Sequence, residues 1–454
     1  MQIINPSTEE MIREFPEDNA ETVHVKYQLL KKAQKEWSDL ELSQRVKIIQ
    51  KFSEILQTRI ETISSILTSE VGKPLQQSRN EINGARTRIK WLTENAEKYL
   101  GDELMTKEQG LEEKISYDPL GVICNISAWN YPWLVGINVF VPALLAGNAV
   151  MYKPSEFAVL TGLEIDKSLK QAGLPENVFQ VALGGKEVGE LLLKIPFDGY
   201  FFTGSYKTGK YIYEKTSLKM VPCMLEMGGK DPLYVSNDVV DIKQTAAATA
   251  DGAFYNNGQS CCSVERIYVH ESVYDEYLRE FVNEVGSWKI GDPTEPGVYF
   301  GPLTRRAQIT ILENQVADAL AKGARLVLGG KRINRKGNFF EPTILTDVTH
   351  EMLVMKEESF GPIIGIMKVD KDEDAIRLMQ DTEYGLTSAV YSSDKKRAEK
   401  ILQQINTGSG YWNCCDRVSA ALPWSGRKHS GFGVALSHAG LHSFVRPKAL
   451  HMRS

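Results

Sequence analysis

Gly121-Val122-Ile123-Cys124-Asn125-Ile126 begins a series of short apolar runs that continues with Ala149-Val150-Met151-Tyr152-Lys153, Val178-Phe179-Gln180-Val181-Ala182-Leu183 and Gly199-Tyr200-Phe201-Phe202-Thr203. Each run has the length and the β-branched or aromatic content of a buried strand, and turn residues and helical patterns separate one from the next. Strands alternating with helices at this spacing predict a parallel α/β sheet, the architecture that binds dinucleotides along its carboxyl edge. No Gly-x-Gly-x-x-Gly fingerprint stands at the first turn. Phe202-Thr203-Gly204-Ser205 ends one strand and opens a helix, which suits backbone N–H groups and the Ser205 hydroxyl to a pyrophosphate. An ordinary turn with a serine cap is the plainer reading of the same residues.

Upstream, residues 21–100 carry apolar positions at helical spacing. Ile48, Ile49, Phe52, Ile55, Leu56, Ile60, Ile63, Ile66 and Leu67 mark one long amphipathic stretch, which Gly72-Lys73-Pro74 stops. The whole chain of 454 residues exceeds what one core supports, so two or three domains are expected. Its 42% hydrophobic and 24% charged residues are those of a globular protein, and a net charge of −5 without long basic runs argues against nucleic acid as a partner. No apolar run approaches the roughly 18 residues of a membrane span, and Met1-Gln2-Ile3-Ile4-Asn5-Pro6 lacks signal-peptide features, so a cytoplasmic protein is expected. The six cysteines, Cys124, Cys223, Cys261, Cys262, Cys414 and Cys415, include two adjacent pairs; these suit neither a disulfide framework nor a zinc site, so reduced thiols and no metal are expected.

Downstream, Asn256-Asn257-Gly258-Gln259-Ser260-Cys261-Cys262-Ser263 places a cysteine just after a flexible polar turn, and Glu226-Met227-Gly228-Gly229-Lys230 sets a carboxylate in a glycine-flanked position before it. A free cysteine is ordinarily a small buried hydrophobe. Here Gly258, Gln259 and Ser260 are too polar for a plain core strand, and a strand resumes at Val264-Glu265-Arg266-Ile267-Tyr268-Val269. An accessible thiol with a separate carboxylate is what covalent thiol catalysis requires.

With both motifs in this order, the sequence resembles the NAD(P)-dependent aldehyde dehydrogenase superfamily over essentially its whole length. The signatures are a Glu-Leu-Gly-Gly-Lys-like base motif and a Gly-Gln-x-Cys nucleophile motif, present as Glu226 to Lys230 and Gly258-Gln259-Ser260-Cys261. The tail Leu436-Ser437-His438-Ala439-Gly440-Leu441-His442 is similar to that of compact bacterial succinate-semialdehyde dehydrogenases. The resemblance implies residues 1–101 with 120–227 as a variant Rossmann cofactor domain and 228–418 as an α/β catalytic domain carrying the nucleophile. Segments 102–119 and 437–454 would form a small β extension that pairs subunits into a homodimer or homotetramer.

It also implies the site. Cys261 attacks the aldehyde as a thiolate, Glu226 activates water against the thioester, and Asn130, in Ala128-Trp129-Asn130-Tyr131-Pro132, joins the Cys261 amide in an oxyanion hole. Ala128 departs from the family's proline there, and Gly431-Phe432-Gly433-Val434-Ala435 departs from its Gly-x-Gly-Arg-Glu. Ile126, Trp129, Lys153, Ser155, Glu156, Gly204, Ser205, Glu358 and Phe360 are expected to bind the cofactor. Among them Lys153 and Glu156 would face the adenosine ribose, so NAD is expected with NADP possible; Glu358 would hold the nicotinamide ribose, and Phe360 would pack near its ring. Cys262 is the competing thiol; the alternation of side chains along a strand turns it away, and the motif register selects Cys261.

Tyr131, Val135, Asn138, Val418 and Trp424 correspond to the family's aldehyde tunnel. Arg417 or Arg427, if turned inward, would favour a carboxylated substrate such as succinic semialdehyde. Trp129, Tyr131, Trp133 and Trp424 would instead suit an apolar aldehyde or, through cation–π contact, betaine aldehyde. A cysteine hydrolase would need a histidine partner, which none of the seven histidines signals; a CoA-acylating enzyme would not need Glu226; and a non-catalytic binding protein would have no use for the three catalytic side chains.

Overall fold

The computed structural model describes residues 1–454. The four runs quoted first form parallel strands at Val122–Ile126, Ala149–Lys153, Phe179–Val181 and Gly199–Thr203, joined by Cys223–Glu226. In this sheet the order is Gly431–Phe432, Cys223–Glu226, Gly199–Thr203, Val122–Ile126, Ala149–Lys153, Phe179–Val181, and only the Gly431–Phe432 edge is antiparallel. Helices Pro132–Leu145 and Val159–Gln171 cover it; the buried Glu70 carboxylate accepts Leu160 N–H at 2.8 Å and Thr161 N–H at 2.7 Å, capping the second helix from outside.

The long amphipathic stretch is two helices, Leu42–Thr58 and Ile60–Val71, rather than one. The backbone leaves helical geometry at Arg59, whose guanidinium pairs with Glu164 and bonds Ser168 at 3.1 Å on the covering helix. Gly72, at φ +81°, ends the second helix as the stop signal predicts.

Between Glu226 and Asp231 the chain crosses into a second sheet. Its order is Arg325–Leu328, Thr343–Thr346, Ile363–Val369, Val264–His270, Asp231–Val235, Thr387–Tyr391, Ser409–Trp412, parallel except at the first pair. A third sheet joins Glu103–Glu108, Leu111–Pro119 and Val445–Arg453, bringing the two segments expected to form a β extension side by side. No helix is long and apolar enough to cross a membrane.

Candidate active site

One cavity of about 810 Å³ lies where the two large sheets face each other. The first sheet turns its carboxyl ends toward it: Ile126 to Asn130, Lys153 with Ser155 to Phe157, Thr203 to Ser205, and Glu226 to Gly228 each follow the end of a parallel strand. The second sheet contributes loops that precede strands, Cys261 before Val264–His270 and Glu358 with Phe360 before Ile363–Val369. All three residues read as catalytic and all nine read as cofactor contacts therefore share this space, as does Trp424. No histidine lines it.

The turn before the cysteine is pinned, in contrast to the flexible turn that its composition suggests. Asn256, Asn257 and Gly258 all take left-handed backbone angles, and all are buried. Asn257 Nδ2 donates to Gly301 O at 2.8 Å and Pro302 O at 3.0 Å, and Gln259 Oε1 accepts Thr304 N–H at 3.0 Å. Asparagine suits this path because it tolerates the left-handed region, while a Cβ at Gly258 would meet Gly361 O at 2.3 Å. Cys261 and Cys262 stand on the turn, not on the strand, so strand alternation is not what separates them. Only Cys261 lines the cavity; Cys262 is buried behind it and donates to Asp416 Oδ1 at 2.9 Å, and its thiol is pushed well up, chiefly by its bond with Cys261 and by burial.

Asn130 Nδ2 donates to Gln259 O at 3.1 Å, which ties the two motifs together and leaves the amide a second N–H. Glu226 is 7% exposed, and its Oε1 has no hydrogen-bond partner. Burial pushes its carboxyl up to about 7, against the opposing pull of the Arg88 charge. Gly431 pairs with Glu226 and holds this strand end in place; at φ +107° its Cβ would meet Leu225 O at 1.9 Å. Glu358 is half-buried and pushed up to about 8 by desolvation and by Glu265, while Gly229 N–H donates to it at 3.2 Å. Phe360, at φ +47°, turns its ring edge-on to Trp129, with the ring centroids 5.5 Å apart.

The polar lining fits a dinucleotide. Lys153 is buried with only a 3.4 Å contact to its neighbour's carbonyl, Ser155 and Glu156 stand beside it, and Ser205 caps the helix Tyr206–Thr216 at the cavity wall.

Seven of the nine residues considered for substrate contact do not line the cavity; Val135 and Trp133 are buried and Val418 packs half-buried against the apolar core. Tyr131 lies behind it, with Lys73 Nζ 3.7 Å from its ring centroid, and Asn138 is buried as an acceptor for Arg88 at 2.8 Å. Arg417 is exposed, and Arg427 is exposed with Nη1 bonded to Asn406 at 3.1 Å; neither turns inward.

Other residues around the site give no motif signal. Lys73, read only as part of a helix stop, is fully buried, pairs with Glu81 and donates to Asn130 O at 2.8 Å; Glu81 also accepts Trp133 N–H at 2.9 Å. Glu265 accepts Lys230 Nζ at 2.6 Å, Ser359 N–H at 2.9 Å and Phe360 N–H at 3.0 Å, holding the Glu358 loop. A buried charge at helical spacing, as at Glu81 or Arg88, is the one sequence cue that would have raised them.

The model of the Aldehyde dehydrogenase family matches residues 1–450. Peroxisomal aminoaldehyde dehydrogenase 1 of Pisum sativum is 34% identical over 462 residues, spanning 98% of this chain and 91% of its own. The NADP(+) succinate-semialdehyde dehydrogenase of Deinococcus radiodurans is 32% identical over 446 residues, spanning 98% and 93%. Among solved structures, betaine aldehyde dehydrogenase from Staphylococcus aureus in complex with NAD+ superposes with a TM-score of 0.95 at 28% identity, over 100% of this chain and 92% of that one.

Proposed function

Since the chain belongs to the aldehyde dehydrogenase family, we propose that it oxidises an aldehyde to a carboxylic acid with NAD(P)+ through a covalent thioester on Cys261. The observation that carries this reading is the convergence of Cys261, Asn130 and the unpartnered Glu226 carboxylate on one cavity. The Cys261 thiolate adds to the aldehyde carbon, and the free Asn130 N–H with the Cys261 amide stabilises the oxyanion. A bound nicotinamide dinucleotide supplies the hydride acceptor, leaving the acyl group on sulfur. Glu226 then takes a proton from water, which attacks the thioester and releases the acid.

Lys153, Ser155, Glu156, Gly204, Ser205, Glu358, Phe360, Ile126 and Trp129 would hold the cofactor. The Glu156 carboxylate beside Lys153 favours NAD over NADP, because it repels a 2′-phosphate. The sheet of Glu103–Glu108, Leu111–Pro119 and Val445–Arg453 leaves Leu104 57% and Met105 61% exposed, which suits pairing of copies into a dimer or tetramer. A second reading of the substrate, a cationic aldehyde, rests on Asp416, whose half-buried carboxylate accepts the Cys262 thiol next to Cys261.

The test is NADH formation by purified protein with NAD or NADP and a panel of succinic semialdehyde, betaine aldehyde, butanal and benzaldehyde, beside Cys261→Ala. A signal that depends on Cys261 supports the reaction; silence with every aldehyde and both cofactors overturns it.

A further inference from the structure

Buried cations in this protein are few and separate sharply by partner. Lys73, Arg88, Lys153, Lys230 and Arg266 are the buried lysines and arginines. Lys73 pairs with Glu81 and Lys230 with Glu265. Arg266 has no carboxylate, yet Nε, Nη1 and Nη2 donate to the carbonyls of Lys230, Leu378, Asp381 and Met379 and to the Tyr268 hydroxyl. Lys153 lacks such partners because it stands in the cofactor cavity.

Arg88 is the remaining case. It is 8% exposed and no carboxylate lies within ion-pair distance. Its Nη1 donates to Asn138 Oδ1 at 2.8 Å and to Leu134 O at 3.2 Å on the helix Pro132–Leu145, which begins just after Asn130. Nε and Nη2 have no partner in the chain and are absent from the polar atoms sealed off from solvent. Ala85 and Ile89, its neighbours on the helix Leu75–Leu100, share one apolar cluster with Cys262, Trp424 and the partly buried Cys261, so the guanidinium stands on the side of the thiols, although it does not line the cofactor cavity. A largely buried cation whose Nε and Nη2 edge has no protein partner is best completed by an anion that reaches that edge. Asn138 orients the guanidinium through Nη1 and leaves the Nε and Nη2 edge free.

We propose that Arg88, oriented by Asn138, binds the carboxylate of an ω-carboxylated aldehyde on the side of Cys261 away from the cofactor, making a short semialdehyde acid the substrate class. This inference rests on the aldehyde oxidation proposed above. It transfers to Arg88 the role that sequence reading offered to Arg417 and Arg427. Asp416 is the group that would favour the opposite charge, so a cationic aldehyde is the rival outcome.

Steady-state kinetics with succinic semialdehyde, butanal and betaine aldehyde test it. Wild type should prefer succinic semialdehyde, and Arg88→Gln should lower the kcat/KM ratio of succinic semialdehyde to butanal by about 10- to 100-fold, mostly through KM. In wild type, independently of whether the variant folds, succinate should inhibit butanal oxidation competitively while succinamide does not. Preference for betaine aldehyde or butanal, equal losses on both substrates in Arg88→Gln, or equal inhibition by succinate and succinamide would overturn the proposal. Butanal turnover with any of those results leaves the dehydrogenase reading standing, whereas no turnover of any aldehyde removes both.

Discussion

Two layers meet at Cys261, and they are built by opposite means. The layer facing the cofactor cavity is made of consecutive residues at strand ends, Ile126 to Asn130, Thr203 to Ser205 and Glu226 to Gly228, so each short motif delivers neighbouring side chains to one place. Behind Cys261, three side-chain pairs, Lys73 with Glu81, Arg88 with Asn138 and Cys262 with Asp416, join residues that are 8, 50 and 154 positions apart in the chain. The front layer presents groups for chemistry, and the rear layer sets their position and charge. Damage to the rear should therefore register in stability or specificity, and damage to the front in turnover.

The largest break is expected in the rear layer. Lys73→Met leaves the Glu81 carboxylate buried without its cation, which should cost about 3–5 kcal/mol of folding stability by denaturant titration. A loss of turnover in this variant without a loss of stability would blur the division between layers. Asn130→Ala tests the front: kcat should fall about 100- to 1,000-fold, with a smaller loss of stability, about 1–3 kcal/mol, from the broken bond to Gln259 O.

Glu226 sharpens the contrast because it belongs to the front, yet burial raises its carboxyl while Arg88 of the rear pulls the other way. Its carboxyl is raised to about 7, so the base form is lost below that value, and the hydrolytic rate should rise with pH through about 7 and then level. Because the folded protein binds this proton more tightly than the unfolded chain does, the stabilising contribution is present at low pH and is lost as pH rises through about 7. Glu226→Gln should abolish the pH step in turnover and be the more stable form above it; a pH step that persists in the variant would assign it elsewhere. The smallest effect is at the cavity rim, where Glu156→Gln should raise kcat/KM for NADP a few-fold and leave the NAD value close to wild type.

Much of the front layer is legible without coordinates. Strand-length apolar runs predict the parallel sheet, and the residues just past each run line the cavity, because the carboxyl ends of parallel strands all open on the same edge. The helix stop at Gly72 is legible for a local reason, a left-handed residue that glycine adopts freely. The helix break at Arg59 is not, since it depends on contacts with Glu164 and Ser168 more than a hundred residues away. The polar Asn256 to Gln259 turn reads as mobile because composition cannot show that the carbonyls of Gly301 and Pro302 wait to receive its amides.

Sequence alone thus determined the alternation of strands and helices and singled out the Cys261 thiol and the Glu226 carboxylate that share the cavity, all through motifs of residues adjacent along the chain. Only the tertiary structure decided which cations are paired, that Arg417 and Arg427 stay outside, and that Arg88, on a helix packed into the same apolar cluster as the thiols, has no carboxylate partner. The physical reason is range. Backbone periodicity and turn preference act over a few residues, whereas the free energy of a buried charge depends on what the rest of the chain folds against it.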